Sequence, residues 1–231
     1  FKLYYGSVDA TPLFVMLAGL YFEHTGDTET LRELWPNIEA ALGWIDGPGD
    51  PDNDGFVEYH RADEQGLINQ GWKDSYDAIF HADGSDAKGP IALCVVQAYV
   101  YAAKRSIADV AAVLGFADLA SRLCDEGERL RLQFEEAFWC EDIGTYAVAL
   151  DGAKRPCCVR TSNAGHALFA GIAAPSRAAA VTAALMGPAG FSGWGIRTLD
   201  RGEARFNPMS YHNGSVWPHD NALIALGFSR Y

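Results

Sequence analysis

Apolar positions recur at helical spacing in seven stretches, with polar, glycine-rich loops between them. Thr11-Pro12 reads as N-cap and first helical residue of a segment apolar almost all round over 13–22, closed at Gly26. A helix of that kind is expected to be buried on more than one side. A second helix is predicted from Asp27 or Thr28, interrupted at Trp35-Pro36 where proline removes a backbone donor, and resuming through Ile38, Leu42 and Ile45 to Gly47-Pro48-Gly49. Gly89-Pro90 opens a third through Leu93, Val96, Tyr99 and Val100 to about Arg105. Its partner runs from near Asp118 through Leu119, Leu123, Leu130, Phe134 and Phe138, with charges on the opposite face. After Arg160 and His166 come an apolar helix ending near Pro175, another over 176–186, and a last one opened by Trp217-Pro218. Alternation predicts short strands at 56–59 and 144–150.

The order is therefore hairpin, polar loop, hairpin, polar loop, hairpin, polar loop. Residues able to do chemistry gather just before the first helix of each pair: Asp9, Asp74, His166 and the block from Tyr211 to Asn221. If the first helices form an inner ring, these positions face one end of its axis. The pattern predicts an all-α toroid of helical hairpins with short β-hairpin insertions and a funnel-shaped pocket.

At 231 residues and 49% apolar, the chain can bury a sizeable core. A net charge of −12 without a basic run disfavours nucleic acid, whose phosphates it would repel. No charged-then-apolar leader and no run of eighteen apolar residues is visible, so no signal peptide and no membrane partner are expected. Cys94, Cys124, Cys140, Cys157 and Cys158 match no zinc or redox spacing, which suggests a reducing, cytoplasmic compartment. Cys94 and Cys124 read as buried small hydrophobes.

The densest chemistry is Asn69-Gln70-Gly71-Trp72-Lys73-Asp74-Ser75-Tyr76-Asp77, with a second cluster at Ser210-Tyr211-His212-Asn213-Gly214-Ser215-Val216-Trp217-Pro218-His219-Asp220-Asn221. An indole face beside carboxyl groups suits a sugar, since the ring stacks on a pyranose while the carboxyl reaches its oxygens. The two clusters are expected to face each other across one pocket. Asp50, Asp52, Asp54 and Gly55 match the front of a calcium loop, but Arg61 holds the twelfth position where a bidentate Glu belongs. A tight Asx-type turn is the competing reading, and a weak calcium site the other.

Tyr5-Gly6-Ser7-Val8-Asp9-Ala10-Thr11-Pro12-Leu13-Phe14, Asn69 to Ser75, Ser162-Asn163-Ala164-Gly165-His166, and Asn207 to Asn221 together resemble the amylo-alpha-1,6-glucosidase, or glycogen-debranching-enzyme-like, family of six-hairpin glycosidases. The resemblance spans nearly the whole chain and implies an (α/α)6 toroid. It also implies hydrolysis of a terminal α-linked glucose or related sugar, typically with inversion. No organic cofactor is expected, because carboxylates do the chemistry. On this resemblance Asp74 is the general acid, with Asp77 the second choice; helix N-terminal capping is the other reading of Asp77. Burial against Trp72 and the charge of Asp77 would help Asp74 keep its proton, whereas Lys73 folded inward would oppose it. Tyr5, Asp9, Trp72, Lys73, His166, Trp194, Tyr211, His212, Asn213 and His219 are the candidate substrate-binding residues, with Trp72 and Trp194 as stacking platforms. Asp9 as a helix cap and His166 as a packed core histidine are the competing readings, and Trp217 reads as core.

Inversion requires a second carboxylate to activate water. The resemblance places that base past the last residue, Tyr231, and Glu58, Glu203 and Asp220 are the internal alternatives. Residues 1–231 are thus expected to be an incomplete catalytic domain, truncated at both ends and inactive alone, with an oligosaccharide or α-glucoside as partner. A non-catalytic carbohydrate-binding toroid and a related glycoside phosphorylase are the other readings. Low basic content and the lack of an anion-binding loop weigh against the phosphorylase.

Overall fold

The computed structural model describes residues 6–61, 63 and 65–231. Seven α-helices are present among them: α1 Ala10–Thr25, α2 Thr28–Ile45, α3 Cys94–Leu114, α4 Ala117–Ala137, α5 Asn163–Ala170, α6 Pro175–Met186 and α7 Pro218–Arg230. Four two-residue strands make two small ladders, β1 Ala92–Leu93 with β4 Ala149–Leu150, and β2 Trp139–Cys140 with β3 Thr145–Tyr146, both antiparallel.

The first hairpin turns at Gly26, in the left-handed region, and Asp27 caps α2 by accepting from the Glu29 and Thr30 amides. Such a cap contributes about 1 kcal/mol. Helices α1, α3, α5 and α7 pack on one another in series, while α2, α4 and α6 each lie outside their hairpin partner. The inner wall is close-packed: a Cβ on Gly165 of α5 would meet Ile224 of α7 at 2.6 Å. One core lies between α1, α2, α3 and α4, around Val15, Leu31, Ile38, Ile107 and Leu123. A larger one joins α3, α5 and α7 to the loops and ladders, around Val96, Phe134, Tyr146, Leu168 and Ile224.

Several elements depart from expectation. Helix α2 runs unbroken through Trp35-Pro36, because Pro36 is on the exposed face, where water can satisfy the carbonyl one turn back. Gly89-Pro90 does not open α3: Ile91 bridges to Tyr59 and β1 pairs with β4, holding the chain extended until Cys94. At its other end α3 continues past Arg105 to Leu114, burying Ile107, Val110 and Ala111. The strand expected at 56–59 is reduced to that one bridge, and α5 stops at Ala170, short of Pro175. Although α1 is apolar nearly all round, Leu17 and Tyr21 on one face are exposed.

Cys140 and Cys158 form a disulfide with Cα atoms 5.9 Å apart. This bond is at odds with the reducing compartment expected from cysteine spacing, since such bonds persist in oxidising surroundings. Cys94 is buried as expected, Cys157 is a second buried thiol, and Cys124 is half-buried. No described helix is long and apolar enough to cross a membrane.

Candidate active site

Trp72 is the hub. Its indole stacks on His166 with ring centroids 5.9 Å apart at 7°, and His212 and His219 meet it edge-on at 5.6 and 5.1 Å. Three segments far apart in sequence therefore meet at one ring: the loop after α2, the start of α5, and the approach to α7.

Each histidine is held by its own partners. His166 Nε2 is 2.7 Å from Asp220 Oδ1 in α7, and its Nδ1 pairs with the Tyr99 hydroxyl of α3. One buried imidazole thus pins three inner helices, which is the packed-core reading; with both ring nitrogens taken, it has none left to offer a sugar hydroxyl. Burial alone would raise the Asp220 pKa, but the hydrogen bond and charge of His166, with Lys73 beyond, hold it below the usual carboxylate range. His212 Nδ1 accepts from the Ser75 amide at 3.4 Å and faces the Ser75 hydroxyl at 2.9 Å. An amide can only donate, so this nitrogen carries no proton. Burial, and then the Lys73 charge, push the His212 pKa down to about 4. His219 is exposed at the rim.

Lys73 folds inward. Its Nζ is buried, lies 5.1 Å from the Trp72 ring centroid and donates to the Thr198 carbonyl at 2.6 Å. Burial lowers its pKa to about 8, with Asp220 pulling it back up.

Asp74 comes to the same place, its Oδ1 3.8 Å from His212 Nδ1, but its side chain is 53% exposed. The burial expected to protect its proton is absent: Trp72 turns its faces to the histidines and leaves the carboxyl in water. Asp77 lies in a turn with no helix following it, so the capping role does not apply. Its backbone carbonyl accepts from Asn213 Nδ2 and from Arg205, which makes Asn213 a brace between the two clusters. Asp9 is buried at the head of α1, accepts from the Ser7 hydroxyl and makes no side-chain cap. Val8 donates to the Gln70 carbonyl at 2.7 Å, tying that turn to the Trp72 loop. Tyr5 lies outside the described residues.

Trp194 is 96% exposed on a turn and pairs with none of the described aromatic rings, so it is not a wall of the Trp72 cluster. Trp217 is half-buried against Tyr211, His212 and His219 rather than in the core. The turn before α7 sets its ring against Tyr211, which is exposed. Two residues were missed or underread from sequence. Tyr99 carries no local signal in an apolar helix, and Asp220 stood only as a spare base.

The internal alternatives for a second carboxylate are all engaged. Asp220 holds His166, Glu58 holds Lys154, and Glu203 accepts from the Arg160 amide at 3.0 Å. The calcium reading meets the same ammonium: Lys154 bridges Asp52 at 2.9 Å, Asp54 at 2.5 Å and Glu58, while Asp50 accepts from the Asp54 and Gly55 amides. A covalently attached cation fills that loop, and the Asx-type turn is the better description.

Residues 7–231 match the family model described as the mannosylglycerate hydrolase MGH1-like glycoside hydrolase domain. The chain belongs to that family. Among solved structures it is similar to the GH63 mannosylglycerate hydrolase of Thermus thermophilus in complex with glucose, at 20% identity and TM-score 0.72, over 98% of this chain and 63% of that one. It is also similar to the GH78 family rhamnosidase of a Bacillus species, at 18% identity and TM-score 0.60, over 79% of this chain and 17% of the other. Neutral trehalase from Saccharomyces cerevisiae matches at 16% identity and TM-score 0.55, over 91% and 38%. The glycoside hydrolase domain thus spans less than two thirds of each of these relatives. No curated protein matches. At such identities the likeness is one of fold, and the arc of hairpins is part of a helical-hairpin toroid of the six-hairpin glycosidase type.

Proposed function

We propose that this chain supplies the sugar slot and the general acid of an inverting glycosidase acting on a terminal α-linked hexose, with α-glucosides the first candidates. The observation that carries this reading is the convergence of His166, His212 and His219 on Trp72, with Asp74 3.8 Å from His212. The indole and imidazoles form a slot of aromatic edges and polar tips, and Asp74 stands at its open side. In this reading Asp74 protonates the glycosidic oxygen, neutral His212 and the exposed His219 hydrogen-bond sugar hydroxyls, and Lys73 with Asp9 and Asp220 sets the field behind them. Asp77 is the second choice for the acid.

The α-glucoside preference rests on the debranching-enzyme-like motifs. The name of the matched family makes an α-mannoside the competitor, while the T. thermophilus relative was solved with glucose. Glu58, Glu203 and Asp220 are engaged, so none of these three stands free to activate water. The same observation favours a second reading, in which this chain alone binds sugar without cleaving it. The deciding assay compares wild type, Asp74→Asn and Asp77→Asn in an enzyme carrying the whole toroid, on α-glucosides and α-mannosides. Loss of hydrolysis with retained sugar binding in Asp74→Asn supports the enzyme. Undiminished hydrolysis in Asp74→Asn removes Asp74 from the chemistry.

A further inference from the structure

The Trp194 turn is a rigid element with an exposed indole at its tip. Ser192 Oγ accepts from the Trp194 and Gly195 amides, each at 3.1 Å, and donates to the Gly195 carbonyl. From α7, Asn221 clamps the base of the turn: its Oδ1 accepts from the Ile196 amide at 2.7 Å, and its Nδ2 donates to the Ile196 and Trp217 carbonyls at 3.0 Å. The turn therefore abuts the approach to α7, and a Cβ on Gly195 would meet Val216 at 2.6 Å. An indole that is 96% exposed on a turn so well tied down contributes nothing to the core.

Val216 continues into a shallow groove with Met209, Tyr211 and Trp217, which has no charged side chain in its lining. Its floor is fixed as well, because Trp217 Nε1 and Ser215 Oγ both donate to the Tyr211 carbonyl. Tyr211 leads inward, 4.6 Å from His212, and Trp217 is 5.8 Å from His219. The uncharged, aromatic groove thus adjoins His212 and His219 at one side, and its Val216 abuts Gly195 of the Trp194 turn. Aromatic surface that loses no conformational freedom on binding suits the flat apolar face of a sugar ring.

We propose that the Trp194 turn and the Tyr211–Trp217 groove form an outer subsite that stacks the second and third units of an α-linked oligosaccharide, so that the preferred ligand is longer than one sugar and uncharged. This rests on the sugar reading of the Trp72 slot and goes beyond it in chain length.

Calorimetry on the 231-residue chain tests it, with methyl α-D-glucoside, methyl α-D-mannoside, maltotriose, isomaltotriose and α-1,2-mannotriose as probes. Wild type is expected to bind one trisaccharide roughly tenfold or more tighter than the matching monosaccharide. Trp194→Ala removes that gain and leaves monosaccharide affinity within about twofold, while Trp194→Phe restores part of it. Equal affinity for short and long probes in wild type overturns the outer subsite, as does a Trp194→Ala chain that keeps the full gain. A wild-type dimer that Trp194→Ala turns into a monomer on size exclusion also overturns it, by giving the indole a protein partner. If no probe binds at all, the sugar slot fails and the outer subsite with it, a result distinct from monosaccharide binding without a length effect.

Discussion

Lys73 Nζ donates to the Thr198 carbonyl at 2.6 Å, and the Ser162 amide donates to the same oxygen at 3.3 Å. This one carbonyl joins the Trp72 loop, the head of α5 and the segment that leads to the Trp194 turn. Lys73 thus meets the inward-folded condition under which it would oppose a proton on Asp74, and it is also a buried strut.

The Lys73 charge makes a signed prediction. Its folded pKa of about 8 is below the ordinary 10.5, so between those values the unfolded chain holds a proton that the folded chain lacks. Stability contributed by this group therefore rises with pH across that window, by at most about 1.4 kcal/mol per unit. Burial pushes the Cys94 and Cys157 thiols up, which acts in the opposite direction, so the quantity to measure is wild type minus Lys73→Met. Urea unfolding at pH 8 and 9.5 should show that difference moving in favour of wild type by about 1–2 kcal/mol. A flat difference would refute a buried titrating amine.

Asp220→Ala leaves the His166 ring nitrogen facing an apolar gap, and leaving a buried hydrogen-bonding group unpaired costs about 1–3 kcal/mol. Because the Asp220 pKa is lowered in the fold, its contribution is present above the unfolded value near 3.9 and is lost as pH falls through the folded one. Acid unfolding of wild type against Asp220→Asn reads this directly. The variant should lose the part of the pH dependence that lies below pH 4.

His212 should stay neutral down to about pH 4. Its folded pKa is lowered, so the unfolded chain takes up the proton first, and stability declines as pH drops from about 6.5 toward 4. Histidine ring resonances followed by NMR will show one imidazole that fails to titrate near pH 6.5; in Lys73→Met its midpoint should climb. A normal midpoint for His212 in wild type would contradict the Ser75 hydrogen bonds.

Trp72→Ala removes the ring on which three histidines rest. Large-to-small changes at packed aromatics cost about 3–5 kcal/mol when fully buried, and this half-buried indole should cost about 2–3. Sugar binding should fall further than stability predicts, because the slot loses its floor. Binding within about twofold of wild type, in a protein shown to be folded, would dismiss Trp72 as the platform.

Cys158→Ser opens the cross-link between β2 and the segment before α5, 18 residues apart in sequence. The expected loss is about 3 kcal/mol. Reductant should reproduce it on wild type and do nothing to the variant, as thermal melts in matched buffers will show.

The hairpin rhythm was legible because it is local, whereas His166 lies inside α5 and Asp74 well before α3 rather than just ahead of an inner helix. Asp, Gly and Pro mark helix ends by their local chemistry and apolar spacing marks the buried face, so α1, α2, α4, α6 and α7 fall within a few residues of their predicted limits, although Thr11, read as the N-cap of α1, lies inside it. The motifs around Trp72, His166 and His212 came from the same local reading. What tertiary structure decided is who meets whom. Tyr99 became a partner of His166 only because α3 packs on α5, and Asp220 ceased to be a free base because α7 packs on α5. Lys154 took the place read as a calcium site, Cys140 found Cys158, and Pro90 was drawn into an extended segment, each through a neighbour distant in sequence. Hydrogen bonds and charges act over a few ångströms of space, whereas a sequence records only neighbours along the chain. The fold's alphabet was therefore written locally, and the site's pairings were set by packing.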